Sequence, residues 1–205
     1  MMEKVLKKIS RGFTIVVLNA VFRTVYRMKV IGKENIPKTG SLIFAGNHKS
    51  YFDPPAITVT NGRKMRFMAK EELKENALFG FLGWAFESIW VKRDSKDITP
   101  IKTSLKALKN GECLGIFPEG TRNGMEKNGG ELKNGVAYLA LKTDAQIVPV
   151  GMVGSGKPFT KNFVVYGEPL DLSKYKENKV DKEAEEKVNE ELKSRIFELV
   201  ESQKV

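Results

Sequence analysis

The sequence predicts an α/β layered domain with a largely parallel mixed sheet flanked by helices, preceded by an amphipathic helical segment. Two observations predict this class. Short runs rich in β-branched and aromatic residues alternate with segments of helical spacing, the pattern of strands joined by helical crossovers. Gly, Pro and Asn clusters punctuate those runs, yet no repeat, low-complexity tract or linker divides the chain into two globular units. At 205 residues the chain is long enough to bury one substantial core.

Taken in order, residues 3–27 read as helix. Gly12, Asn19 and the β-branched run Thr14 to Val17 leave two forms open, one helix or a helix pair. Met28-Lys29-Val30-Ile31 is a short strand, closed by Gly32 and a loop ending at Pro37-Lys38-Thr39-Gly40. Ser41 to Ala45 is a buried strand that delivers the chain to Asn47-His48. Asp53-Pro54-Pro55 resembles a helix start, with aspartate as cap and proline in the first turn. Arg66 to Ala69 is a weaker strand, followed by helical signals around Glu71–Leu73 and Leu78–Leu82. Ser88 to Val91 is the next strand. Asp97 to Leu108 has helical spacing and stops at Asn110-Gly111. Cys113 to Phe117 is a strand ending in Pro118, and residues 122–130 form a flexible loop. Leu132 to Leu141 reads as helix, then Gln146–Val150 and Asn162–Tyr166 as strands. The tail from Asp181 to Gln203 is an amphipathic helix with Val188, Leu192, Ile196 and Leu199 on one stripe.

Composition narrows the function. The single cysteine, Cys113, excludes an internal disulfide framework, and with the single histidine, His48, it excludes Cys- or His-cluster metal sites. No cofactor is expected. A net charge of +10 points to a polyanionic partner. Its distribution is uneven, since the first 33 residues hold eight bases against the one acid Glu3. These bases flank the apolar stretch Phe13 to Phe22, about half of the ~20 residues needed to span a bilayer. Basic ends around a short apolar middle favour a helix lying in the headgroup region. The chain thus divides into an interfacial segment, 1–27, and a globular domain, 28–205. A signal peptide is disfavoured because Arg23 and Arg27, not a small-residue cleavage site, follow the apolar run. An ordinary core helix is the competing reading.

Two segments carry polar chemistry directly after apolar strands, where loops converge in α/β sheets. One is Asn47-His48-Lys49-Ser50-Tyr51-Phe52-Asp53-Pro54. The spacing of five would not let His48 and Asp53 face each other on one helix, but a strand-loop-helix connection can fold back. A carboxylate on one imidazole nitrogen fixes the tautomer and leaves the other nitrogen free as a base. The other segment is Phe117-Pro118-Glu119-Gly120-Thr121-Arg122. There the backbone can approach a ligand at Gly120, and the Arg122 guanidinium can grip a phosphate with two parallel hydrogen bonds. Glu119 would bind a hydroxyl or hold Arg122. Each segment alone has a bland alternative, a capped helix in the first case and a polar turn in the second.

Together, Asn47-His48-x4-Asp53-Pro54 and Phe117-Pro118-Glu119-Gly120-Thr121-Arg122 resemble the 1-acylglycerol-3-phosphate (lysophosphatidate) acyltransferases of the glycerolipid acyltransferase superfamily. Ile89-Trp90-Val91-Lys92-Arg93 and Ile147-Val148-Pro149-Val150 are similar to two weaker blocks of that family, although Glu87-Ser88 stands where the first usually begins with glycine. The resemblance implies an acyltransferase of phospholipid synthesis with the HX4D motif, His48 as base and Asp53 as its orienting partner. Arg93 and the loop Glu119, Gly120, Thr121 and Arg122 would hold the glycerol phosphate. The donor would be acyl-CoA or acyl-carrier protein, with no metal and no covalent intermediate. Lysophosphatidate and membrane lipids are then the expected partners, at the cytoplasmic face of the cell membrane, in a monotopic or peripheral mode.

Three rivals follow from the same residues. The acceptor could be glycerol-3-phosphate or another lysophospholipid. A thioesterase would use the same His-Asp pair on water. A basic nucleic-acid-binding module would suit the charge, but no recognition helix, zinc finger or aromatic RNA motif is present. Gly151 to Lys157 nearly spells a phosphate-binding P-loop. Pro158 stands where the magnesium-binding hydroxyl belongs, and a strand follows where a helix is required, so that reading is rejected. Lys70 is a surface lysine by default, and Cys113 is expected to be buried.

Overall fold

The computed structural model describes residues 2–92, 97–124, 132–176 and 181–203. Its helices are α1 (Met2–Thr24), α2 (Asp53–Thr60), α3 (Ala77–Ala85), α4 (Thr99–Lys109), α5 (Gly135–Leu141), the short α6 (Ser173–Lys176) and α7 (Lys182–Glu201). The strands are β1 (Met28–Ile31), β2 (Leu42–Gly46), β3 (Met65–Lys70), β4 (Ile89–Val91), β5 (Cys113–Ile116), β6 (Gln146–Gly154) and β7 (Asn162–Tyr166). They form one seven-stranded sheet in the order β1-β7-β6-β2-β5-β3-β4. From β6 to β4 all neighbours are parallel. β7 runs antiparallel to β6 and carries β1 with it.

The central strand β2 is buried throughout, and its side chains alternate between two cores as the pleat requires. Ile43 and Ala45 join the Leu, Val and Ala side chains of α4, α5 and α7 on one face. Leu42 and Phe44 join Phe22 and Tyr26 beyond them and Ile57 and Val59 of α2 on the other. Helices covering both faces are what a parallel sheet needs.

Several elements differ from the sequence expectation, each for a local reason. Of the two forms open for the N-terminal segment, α1 is the single helix, and Asn19 turns its side-chain amide to the Ile15 carbonyl (3.0 Å) and to the Val59 carbonyl of α2 (3.3 Å). The turn at Glu71–Glu75 is a 3-10 helix, not an α-helix. Helix α5 begins only at Gly135, three residues after Leu132. β6 extends to Gly154 because its second half pairs with β7. That extension places most of the P-loop look-alike inside a strand.

Helix α1 has two faces. Phe22 and Thr14 are buried, whereas Met2, Val5, Leu6, Ile9, Phe13, Val16 and Val17 are all exposed. The exposed set recurs every three or four residues and so forms one apolar stripe. The segment is therefore held by the core on one side and bare on the other. Arg11 fastens it to the end of α3, donating to the Ala85 carbonyl (3.1 Å) and to Glu87 (2.8 Å). Partial burial pushes the Glu87 carboxyl up, but hydrogen bonds from Arg11 and Lys64 outweigh it and hold the group at about 2, below its ordinary 4.5. A depressed carboxylate contributes stability that is complete above its unfolded value and is lost as pH falls through the folded one. Protection of the α1 amides relative to their intrinsic exchange rates is therefore expected to fall between about pH 4.5 and pH 2. Arg11→Ala should lower that protection already at neutral pH.

Candidate active site

The carboxyl end of β2 turns into an irregular loop, Asn47 to Phe52, that returns the chain into α2. Asn47 anchors the exit. Its buried side chain donates to the Met152 carbonyl (3.0 Å) and accepts from the Met152 N–H (2.6 Å), as a strand neighbour would. The loop then folds back. His48 Nδ1 lies 2.9 Å from Asp53 Oδ2. The same oxygen accepts the backbone N–H groups of Lys49 (2.6 Å) and Ser50 (2.7 Å).

Asp53 does not cap α2. It is the first helical residue, its position before Pro54 and Pro55 leaves no N–H at the next two residues to cap, and its carboxylate points back into the loop. The aspartate is 5% exposed. The imidazole and two backbone N–H groups converge on its one oxygen. With that oxygen as acceptor, His48 Nδ1 is the donor, which leaves Nε2 as the acceptor.

The second segment docks on the first. Phe117 lies flat under the imidazole, with ring centroids 4.1 Å apart and planes at 16°. Phe67 of β3 stacks on Phe117 in turn, at 5.6 Å. Room for that stack comes from Gly115, where a Cβ would lie 2.4 Å from the Phe67 ring. Buried Glu119 accepts the His48 backbone N–H at 3.0 Å, and the Asn123 N–H donates to the His48 carbonyl at 2.6 Å. Phe117 to Gly120 is a tight turn closed by the Gly120 N–H on the Phe117 carbonyl. Gly120 has φ +67°, and a Cβ there would collide with the Lys133 side chain at 2.7 Å. Thr121 is half-buried beside it.

Arg122 is exposed, and its guanidinium carbon lies 3.7 Å above the Tyr51 ring. Tyr51 leans on Phe79 of α3, 5.4 Å between centroids. The ring positions this exposed cation through a contact that uses none of its N–H donors.

His48, Asp53, Glu119, Gly120, Thr121 and Arg122 are thus brought to the carboxyl ends of the central strands β2 and β5. Arg93 lies outside the described residues, as does most of the loop expected over 122–130. Lys70 is exposed at the end of β3, and Cys113 is buried in β5. Sequence reasoning assigned no role to Phe117, Tyr51 or Lys133. An aromatic next to a motif residue was the only available signal for the first two.

The acyltransferase family model matches residues 27–153. The 1-acyl-sn-glycerol-3-phosphate acyltransferase of Bacillus subtilis is 34% identical over 151 residues, 70% of this chain and 73% of the relative. That of Borreliella burgdorferi is 33% identical over 141 residues, 66% of this chain and 54% of the relative. The chain therefore spans only about half the length of the second. The crystal structure of the 1-acyl-sn-glycerophosphate (LPA) acyltransferase PlsC from Thermotoga maritima superposes with a TM-score of 0.66 at 27% identity, covering 96% of this chain and 80% of that one. The matched span holds β1 to most of β6 together with both polar segments, and the chain belongs to the acyltransferase family.

Proposed function

We propose that the protein transfers an acyl group from a thioester donor, acyl-CoA or acyl-carrier protein, to the free hydroxyl of 1-acylglycerol-3-phosphate, forming phosphatidate at the cytoplasmic face of a membrane. One observation carries this reading. A His48–Asp53 pair at 2.9 Å shares the carboxyl end of the central strands with an exposed arginine on an aromatic platform, which puts a base and a cation suited to phosphate on the two segments that dock there.

His48 Nε2 takes the hydroxyl proton as the oxygen attacks the thioester carbonyl. Asp53 holds the ring in the productive tautomer and stabilises the imidazolium. Collapse of the tetrahedral intermediate breaks the carbon–sulfur bond. The thiolate leaves with the proton returned from His48, so every atom is accounted for and no covalent enzyme intermediate arises. Arg122, with the Gly120–Thr121 backbone, receives the acceptor phosphate, and Arg93 is the second cation that the family resemblance offers.

Delivery of a lipid acceptor suits the exposed stripe of α1 and its basic ends. Among the described residues no helix is long and apolar enough to cross a membrane, and a helix lying in the headgroup layer needs no such length. The test is to incubate the protein with acyl-CoA, acyl-carrier protein and a panel of vesicle-borne acceptors, then weigh the products. Phosphatidate from lysophosphatidate is the expected product. Free fatty acid released equally with and without acceptor would replace acyl transfer by thioester hydrolysis.

A further inference from the structure

We propose that the loop between β6 and β7, residues 155–161, is a second lipid-inserting element, with Phe159 as a wedge that enters an anionic bilayer surface and seats the active-site mouth against it. The proposal rests on the membrane-surface reading of α1 given above and adds a contact at the opposite end of that helix.

Phe159 is 73% exposed and has φ +59°, a left-handed backbone that a bulky aromatic side chain avoids. In the free protein it is therefore both strained and in water. Neither condition contributes to folding, so the ring gains only from something outside the chain.

The loop that presents it is rigid. The Phe159 N–H donates to the Val25 carbonyl beyond α1 at 2.6 Å. The Asn162 amide donates to the Tyr26 carbonyl (2.8 Å) and to Lys157 (3.2 Å), while its oxygen accepts from Gly156 (2.8 Å). Ser155 and Thr160 close the base through their hydroxyls at 2.8 Å. A firmly held tip inserts without an ordering cost of its own.

Its position ties insertion to catalysis. At Gly156 a Cβ would lie 3.3 Å from Cβ of Ser50, so the loop lies against the one that holds His48 and Asp53. Phe52, 40% exposed, packs on Tyr26 at 5.1 Å and continues the apolar rim toward the site.

Charge selects a lipid surface over a protein groove. Lys157 and Lys161 flank the tip, and exposed Arg27 and Lys49 lie on the adjoining segments. Residues 146–167 contain no acid, and neither do residues 4–33. An aromatic between lysines, with no neighbouring carboxylate, fits an anionic headgroup layer.

Phe159→Gly tests this cleanly, because glycine accepts the left-handed backbone and relieves its strain. The variant should unfold at the same or a higher temperature. Its partition onto vesicles of equal parts phosphatidylcholine and phosphatidylglycerol should weaken about tenfold. Undiminished partition would overturn the proposal. A polarity-sensitive fluorophore on Phe159→Cys, compared with one on Phe13→Cys, separates it from the reading of α1, since native Cys113 is buried and escapes labelling. A blue shift at 159 supports the wedge whatever position 13 shows. A shift at 13 alone removes the wedge and keeps the α1 contact. No shift at either removes both.

Discussion

Replacing His48 by alanine is expected to leave a folded protein whose acyl transfer has fallen by about 10²–10⁴. The imidazole stacks on Phe117 at the carboxyl end of the central strands and lies outside both hydrophobic cores. Its removal uncovers one face of that ring and opens no deep cavity. The thermal midpoint should therefore hardly move while turnover collapses. Asp53→Asn should cost a similar factor for a different reason. The amide cannot stabilise an imidazolium, and it must divide its oxygen between the Lys49 and Ser50 N–H groups and the ring. Because those backbone bonds shape the loop, the Asp53 variant should also unfold earlier than the His48 variant. The double variant should be no slower than the worse single one, since the two side chains act as a unit. Undiminished phosphatidate formation by His48→Ala would remove the imidazole from the chemistry. A single histidine makes this decisive, because no other ring can substitute.

The pair was legible in the sequence because each segment follows a buried strand. Leu42 to Ala45 and Cys113 to Ile116 are apolar runs short enough to be read as strands, and polar residues at their carboxyl ends have one place to go. Strand order was not legible. The contacts that set it join distant residues, such as Leu42 with both Cys113 and Gln146, and local pattern carries no record of them. The reversal of β7 was hidden for the same reason. The cap reading of Asp53 fails and the His48 contact stands, because aspartate before proline suits both a helix start and a turn acceptor, and only the direction of the side chain separates them. The two-sided nature of α1 was half legible. The basic flanks and apolar middle marked the surface, but Phe22 and Tyr26 contribute to the core, so the stripe must be tested by substitution and not by deleting the helix. Glu119 also makes a contact that its position beside Arg122 does not announce, accepting the His48 backbone N–H.

Arg122→Ala is expected to raise KM for lysophosphatidate strongly, with kcat/KM lower by about 10²-fold, from the roughly 1.5–3 kcal/mol of each charge-assisted hydrogen bond that a phosphate would accept. Arg122→Lys should recover only part of this, because an ammonium keeps the charge but cannot present two parallel donors. Tyr51 then supplies the discriminating control. Its ring lies 3.7 Å from the guanidinium carbon, and a cation–π contact at an exposed site contributes about 0.5–1 kcal/mol. Tyr51→Leu should therefore raise KM by about two- to fivefold and leave kcat nearly unchanged. Tyr51→Phe keeps the platform and should behave as wild type. In the Arg122→Ala background Tyr51→Leu should add nothing, because the cation it positions is gone. If Tyr51→Leu lowers kcat instead, the ring supports the catalytic loop and not the arginine, since Tyr51 stands between His48 and Asp53. Steady-state kinetics on one vesicle-borne acceptor separates these cases, because positioning of a phosphate ligand and distortion of a base reach different constants.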